Sequence, residues 1–179
     1  RARVGRRLGS PPRATAPHTL DAPLRVLPRC QWTRISRRPP GPLRCRLRET
    51  TAVALWLDEQ YVELDAAGKT LERFGDPPPD LPIIRPSSAL EPDSLRGLAL
   101  AALDALRAAA FDLGTELSEI TAENRGIVYH RNESSTWVLM GWRDFAARAL
   151  CYRDVFTEIE AAGFPAELDL RYRDQVVAR

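Results

Sequence analysis

Hydrophobic and polar positions alternate cleanly in two places along the chain, and two apolar runs lie between them. Leu43, Cys45 and Leu47 alternate with Arg44, Arg46 and Arg48, a period of two that predicts a half-buried strand. Trp32, Arg34, Arg37 and Arg38 lead into it through the turn Pro39, Pro40, Gly41, Pro42. Residues 52–57 and 61–64 are apolar and flank the polar Asp58, Glu59, Gln60, which predicts a hairpin. The corner Ala66, Ala67, Gly68 then reverses the chain into 69–74. Ala166, Leu168, Leu170 and Tyr172 alternate with Glu167, Asp169, Arg171 and Arg173, a period-two strand that Val176 and Val177 extend.

Two segments carry the helical period instead. In 93–111, Leu95, Leu98, Ala102, Leu106 and Ala109 share one face, and Gly114 supplies the stop. In 143–162, Phe145, Ala149, Tyr152, Phe156 and Ile159 form a stripe opposite Arg148, Asp154, Glu158 and Glu160, closed by Gly163 and Pro165. Between them, 117–121, 126–130 and 137–140 read as an antiparallel meander. Residues 75–82, with prolines at 77, 78, 79 and 82, are too proline-rich to pair in a sheet and mark a boundary. The order of elements predicts an α+β protein: a small subdomain over 31–75, then an antiparallel sheet with packed helices over 80–179.

Residues 1–30 show neither period and read as a loose arm, with prolines among scattered arginines. Charge sharpens this division. Residues 1–48 hold 13 arginines against the single acid Asp21, a local charge of +12, whereas the remainder has 13 basic and 23 acidic residues, or −10. A basic arm on an acidic body suits nucleic acid, anionic lipid or a ribosome as well as a merely solvated N-terminus, and an arginine-rich nucleic-acid-binding protein is the alternative reading. Cys30, Cys45 and Cys151 are odd in number and lack a CxxC pair, so they indicate neither a zinc site nor a disulfide framework. No run of about 18 apolar residues is present.

Candidate chemistry is sparse. Gly68, Lys69, Thr70 mimic the tail of a phosphate-binding loop, but Glu63 stands where that loop needs its first glycine. A nucleophilic dyad would have to pair His130 with Cys151, Ser134 or Ser135, and no nucleophile elbow or cysteine-protease signature surrounds them. The carboxylate pairs Asp65 with Glu63 and Glu116 with Glu119 read as solvated surface in a chain with 24 acids. Trp32, Trp56, Trp137 and Trp142 lie mostly in or beside apolar segments, which predicts burial for most of them.

The string Leu168, Asp169, Leu170, Arg171, Tyr172 after the helix 143–162 resembles the closing helix and strand of the FtsQ/DivIB family of bacterial cell-division proteins. Trp137, Val138, Leu139, Met140, Gly141 resembles the strand and glycine that precede that helix, and Leu81 and Pro82 resemble the family's Leu-Pro segment. Trp32, Arg34, Ile35, Arg37, Pro40 and 43–49, then Val53, Ala54 and Trp56, resemble the second half of its POTRA domain. The resemblance covers 31–179. It implies a partial POTRA-like subdomain over 31–75 and an FtsQ-type β subdomain over 80–179.

It further implies a single-pass protein of the cell inner membrane, its anchor upstream of these residues and its C-terminal part extracytoplasmic. That protein binds FtsB/DivIC- and FtsL-type partners and supports septal peptidoglycan synthesis, with no catalytic residue and no cofactor. The expected partner site is an edge strand open to β-augmentation, with Tyr172 as anchor, Arg171 adding a charge-assisted bond, and Val176 and Val177 lining the strand.

Overall fold

The computed structural model describes residues 24, 27, 29–37, 43–74, 80–112, 116–132 and 134–179. Most of the expected arm at 1–30, the turn at 39–42, the prolines 77–79 and Gly114 lie outside the described residues. Two compact units result, Arg1–Thr51 and Ala52–Arg179.

In the first unit the alternating arginines do form a strand. β1 (Cys30–Arg37) pairs antiparallel with β2 (Leu43–Glu49), placing Trp32 opposite Arg48, Arg34 opposite Arg46 and Ser36 opposite Arg44. Side chains alternate across a pleat, so these six share one face and Ile35, Cys45 and Leu47 share the other. No described side chain of this hairpin is buried.

Among the described residues the second unit is an α+β layer of one mixed sheet and two helices. Its strands are β3 (Ala54–Leu57), β4 (Tyr61–Leu64), β5 (Thr70–Phe74), β6 (Ile83–Ile84), β7 (Leu117–Glu123), β8 (Gly126–Arg131), β9 (Trp137–Gly141), β10 (Glu167–Asp169) and β11 (Val177–Ala178). Among the described residues they lie in the order β11-β10-β9-β8-β7-β6-β3-β4-β5. The hairpin β3–β4 and the meander β7–β8–β9 are antiparallel, as the sequence predicts. Three pairings are parallel: β3 with β6, β6 with β7, and β9 with β10. Two of these follow from helix crossovers, since α1 (Pro92–Ala108) joins β6 to β7 and α2 (Phe145–Ala162) joins β9 to β10.

The expected boundary at 75–80 is therefore corrected. Leu55 sits opposite Ile83 and Trp56 opposite Ile84, so β3–β5 belong to the large sheet, and the division falls between Thr51 and Ala52. The prolines interrupt the chain without dividing the sheet, because the strands on either side of them still pair.

One register row carries the core across the sheet: Val62, Trp56, Ile84, Ile120, Tyr129, Val138 and Leu168 are adjacent in turn and all buried. Onto it α1 presents Leu95, Ala99, Ala102, Leu103 and Leu106, and α2 presents Phe145, Ala149 and Tyr152. Burial of each large side chain contributes about 1.5–3 kcal/mol. Helix α1 stops before Gly114: Ala110 takes φ +67, Phe111 N–H reaches Leu106 C=O at 3.1 Å, and Ala110 N–H reaches Arg107 C=O at 2.9 Å. This is a Schellman closure made without glycine.

Two further expectations change. Trp32 and Trp137 are 44% and 39% exposed, so only Trp56 among the tryptophans is fully in the core. The strand expected over 166–172 is three residues long, and Val176 and Val177 do not extend it. The chain bends at 172–174 and returns as β11 antiparallel to β10.

Candidate functional site

The site is built on the strand that follows α2. Gly163, at φ +83, ends the helix, and 164–166 lead into β10, where Trp137 N–H donates to Ala166 C=O at 2.9 Å and Leu170 N–H to Leu139 C=O at 3.0 Å. Leu168, Asp169 and Leu170 are all buried, so the period-two pattern here does not mark a solvated face. Asp169 points away from the helices, in the row Val128, Leu139, Asp169, and is fully covered.

A buried carboxylate needs compensation. Asp169 Oδ1 accepts from the backbone N–H of Arg171 at 3.1 Å and from its Nε at 3.0 Å, while Oδ2 accepts from Nη2 at 2.8 Å. The Arg171 guanidinium thus holds the Asp169 carboxyl below its ordinary range despite burial. Next to it Arg125 grips Glu167 with two bonds of 2.9 Å, and Arg179 adds a third at 3.2 Å. Those arginines, Arg125 first, lower the Glu167 carboxyl as well.

The neighbouring turn is fixed by glycines. A Cβ on Gly126 would stand 2.0 Å from Gly141 Cα, and Gly141 itself takes φ +69 with the Arg148 guanidinium against it. Arg148 donates to the Met140 carbonyl.

Of the predicted site residues, Arg171 is committed to Asp169 and is not a free charge at an edge. It lies with Tyr172 outside the strands, in the link between β10 and β11. Tyr172 is 41% exposed, and Val176 and Val177 are half-buried. The open edge on this side is β11, whose Val177 faces Asp169. Glu167 and Arg179 exchange both backbone bonds, at 3.1 and 2.9 Å, so the next pair along leaves the Ala178 N–H and C=O pointing outward. Arg125, Arg148, Glu167 and Asp169 were not singled out as a site.

Other candidates resolve into structure. Asp65 Oδ1 accepts the N–H groups of Ala67 and Lys69, both at 2.9 Å, making the 65–69 corner an Asx-capped hairpin turn. His130 packs against Trp137 with ring centroids 4.7 Å apart and planes tilted by 53°, and lies 3.3 Å from the Ser118 hydroxyl. Glu119 pairs with Arg85 at 2.5 Å.

Glu116, expected at the surface, is buried and accepts from Tyr152 at 2.9 Å, Tyr129 at 3.1 Å and Arg131 at 3.1 and 3.2 Å. Burial raises its carboxyl above the ordinary value in spite of these donors. The described residues contain no group of three metal-ligating side chains and no helix long and apolar enough to cross a membrane.

No family model matches the chain, and no curated protein matches it. Among solved structures it is similar to the major extracytoplasmic domain of the trans isomer of the bacterial cell division protein DivIB from Geobacillus stearothermophilus. The TM-score is 0.40 at 20% identity, over 64% of this chain and 93% of that one.

Proposed function

We propose that this chain is a non-catalytic binding module of the bacterial division machinery. In this reading it is the extracytoplasmic part of a membrane-anchored protein that engages FtsB/DivIC- and FtsL-type partners and supports assembly of septal peptidoglycan synthesis. The observation that carries the reading is the use to which the string 168–172 is put. Leu168 and Leu170 anchor it in the core, Asp169 and Arg171 lock each other, and Tyr172 is left exposed beside the edge strand β11.

A partner strand adding to that edge would meet the outward groups of Ala178. An edge of two residues offers few main-chain bonds, so a large share of affinity falls to Tyr172, whose ring supplies area and whose hydroxyl supplies a polar tip. Val176 and Val177 flank it. Arg171 acts as a positioning residue, holding the bend through Asp169.

The test is calorimetric titration of the full chain with the extracytoplasmic segments of an FtsB/DivIC–FtsL complex. Tyr172→Ala is expected to weaken binding about 30-fold, the loss of about 2 kcal/mol typical of a hot spot, with thermal stability unchanged. Ala178→Pro, which removes the outward donor, is expected to weaken it less. Full affinity in both folded variants would place the partner elsewhere and remove the reading.

A further inference from the structure

We propose that the hairpin β1–β2 carries a phosphate-binding face that docks on an anionic lipid surface. The inference goes beyond the partner edge of β11 and stands on the first unit alone. Trp32, Arg34 and Ser36 of β1 share one face with Arg48, Arg46 and Arg44 of β2. Arg34, Arg44, Arg46 and Arg48 are all exposed, and none has an acidic partner among the described residues. Arg34, Arg44, Arg46 and Ser36 together line a depression of about 400 Å³, which admits a phosphate group among three guanidinium side chains and a hydroxyl.

The charge arrangement itself calls for an anion. Like charges directly opposite on paired strands repel, and Arg34 faces Arg46 across the ladder. A phosphate seated between them would relieve that repulsion and accept from both planar forks.

A bilayer fits the surroundings better than a nucleic acid does. Trp32 is 44% exposed on the arginine face, and Leu27, just before β1, is 49% exposed. Aromatic and aliphatic side chains beside basic ones gain free energy at a lipid headgroup layer, where tryptophan concentrates. An exposed leucine gains nothing against a phosphodiester backbone.

The experiment is co-sedimentation of the full chain with vesicles of mixed phosphatidylglycerol and phosphatidylcholine, against vesicles of phosphatidylcholine alone. Binding is expected only to the anionic vesicles and is expected to weaken as salt is added. The triple variant R34Q/R44Q/R46Q is expected to lose about 100-fold in partitioning, on the order of fivefold per arginine. Trp32→Ala is expected to lose less.

Inorganic phosphate should compete only weakly, since it supplies one anion where the vesicle supplies an array. Absence of binding to anionic vesicles, or binding undiminished in the triple variant, overturns the proposal. So does tighter binding of a single-stranded oligonucleotide than of vesicles with the same arginine dependence, which would assign the face to nucleic acid. Tyr172→Ala should leave vesicle binding intact, so failure here and failure of the partner reading are separable.

Discussion

The two units use the same residue in opposite ways. In the hairpin, Arg34, Arg44, Arg46 and Arg48 stand exposed on β1 and β2 without a carboxylate partner among the described residues, and no described side chain of the hairpin is buried. In the sheet unit Arg85, Arg125, Arg131, Arg171 and Arg179 are each bonded to an acid, and the Asp169 and Glu116 carboxylates they meet are buried. A net +12 segment beside a −10 segment is therefore more than a charge imbalance. Five arginines of the sheet unit are thus spent on its own acids, while Arg34, Arg44, Arg46 and Arg48 of the hairpin have no carboxylate partner among the described residues.

The sharpest way to break this comparison is to remove one arginine from each unit. Arg131→Met leaves Glu116 buried with only tyrosine donors, and urea unfolding is expected to show a loss of about 3–5 kcal/mol, the cost of stranding a buried charge. Arg46→Met, in the hairpin, is expected to leave the unfolding of the sheet unit unmoved. Equal effects from the two substitutions would erase the distinction.

Native-state hydrogen exchange locates the boundary. Amides of β3, inside the large sheet, are expected to exchange far more slowly than those of β2, because an isolated two-stranded hairpin is marginally stable in water. Protection of Leu43–Glu49 equal to that of Ala54–Leu57 would move the division away from Thr51.

Asp169→Asn is expected to cost about 2 kcal/mol, since it weakens charge-assisted bonds inside a covered site. Its pH dependence has a definite sign. Asp169 and Glu167 are held below their unfolded values, so they contribute stability in full above about pH 5 and lose it as pH falls through the lowered values. Glu116, raised by burial, works the other way: the folded form binds its proton more readily, and stability declines as pH rises from the ordinary glutamate value through the raised one. Acid unfolding of Asp169→Asn should accordingly be flatter on the low-pH limb. Glu116→Gln should remove the opposing decline without altering that limb.

The smallest effect is expected in the hairpin. Arg46→Glu replaces the repulsion with Arg34 by attraction and should stabilise β1–β2 by about 0.2–1 kcal/mol, read as slower amide exchange in β2. No change there would mean that solvent already screens the facing arginines.

The sequence by itself determined most elements and one face of the hairpin. Leu95, Ala102 and Leu106 in α1, and Phe145, Ala149 and Tyr152 in α2, declare their buried stripes through a helical period that holds wherever the helix packs. The alternation of Arg44, Arg46 and Arg48 places them together because the pleat has a period of two, whatever lies around it. Tyr172, the expected anchor, follows the string 168–171 and is exposed. Tertiary structure decided the rest. Asp169 reads as solvated by alternation, yet the sheet is buried on both faces there, and only the arrival of Arg171 makes the carboxylate tolerable.

Glu116 is one of 24 acids until folding brings Tyr129, Tyr152 and Arg131 to it from 13, 36 and 15 residues away. Likewise the prolines near 77–82 promise a domain boundary, whereas the pairing of Leu55 with Ile83 joins the strands on either side into one sheet. Periodicity is a property of neighbours along the chain and survives in any fold that uses the element. Pairing, the burial of a second face and the company a charge keeps depend on residues distant in sequence, and nothing local announces them.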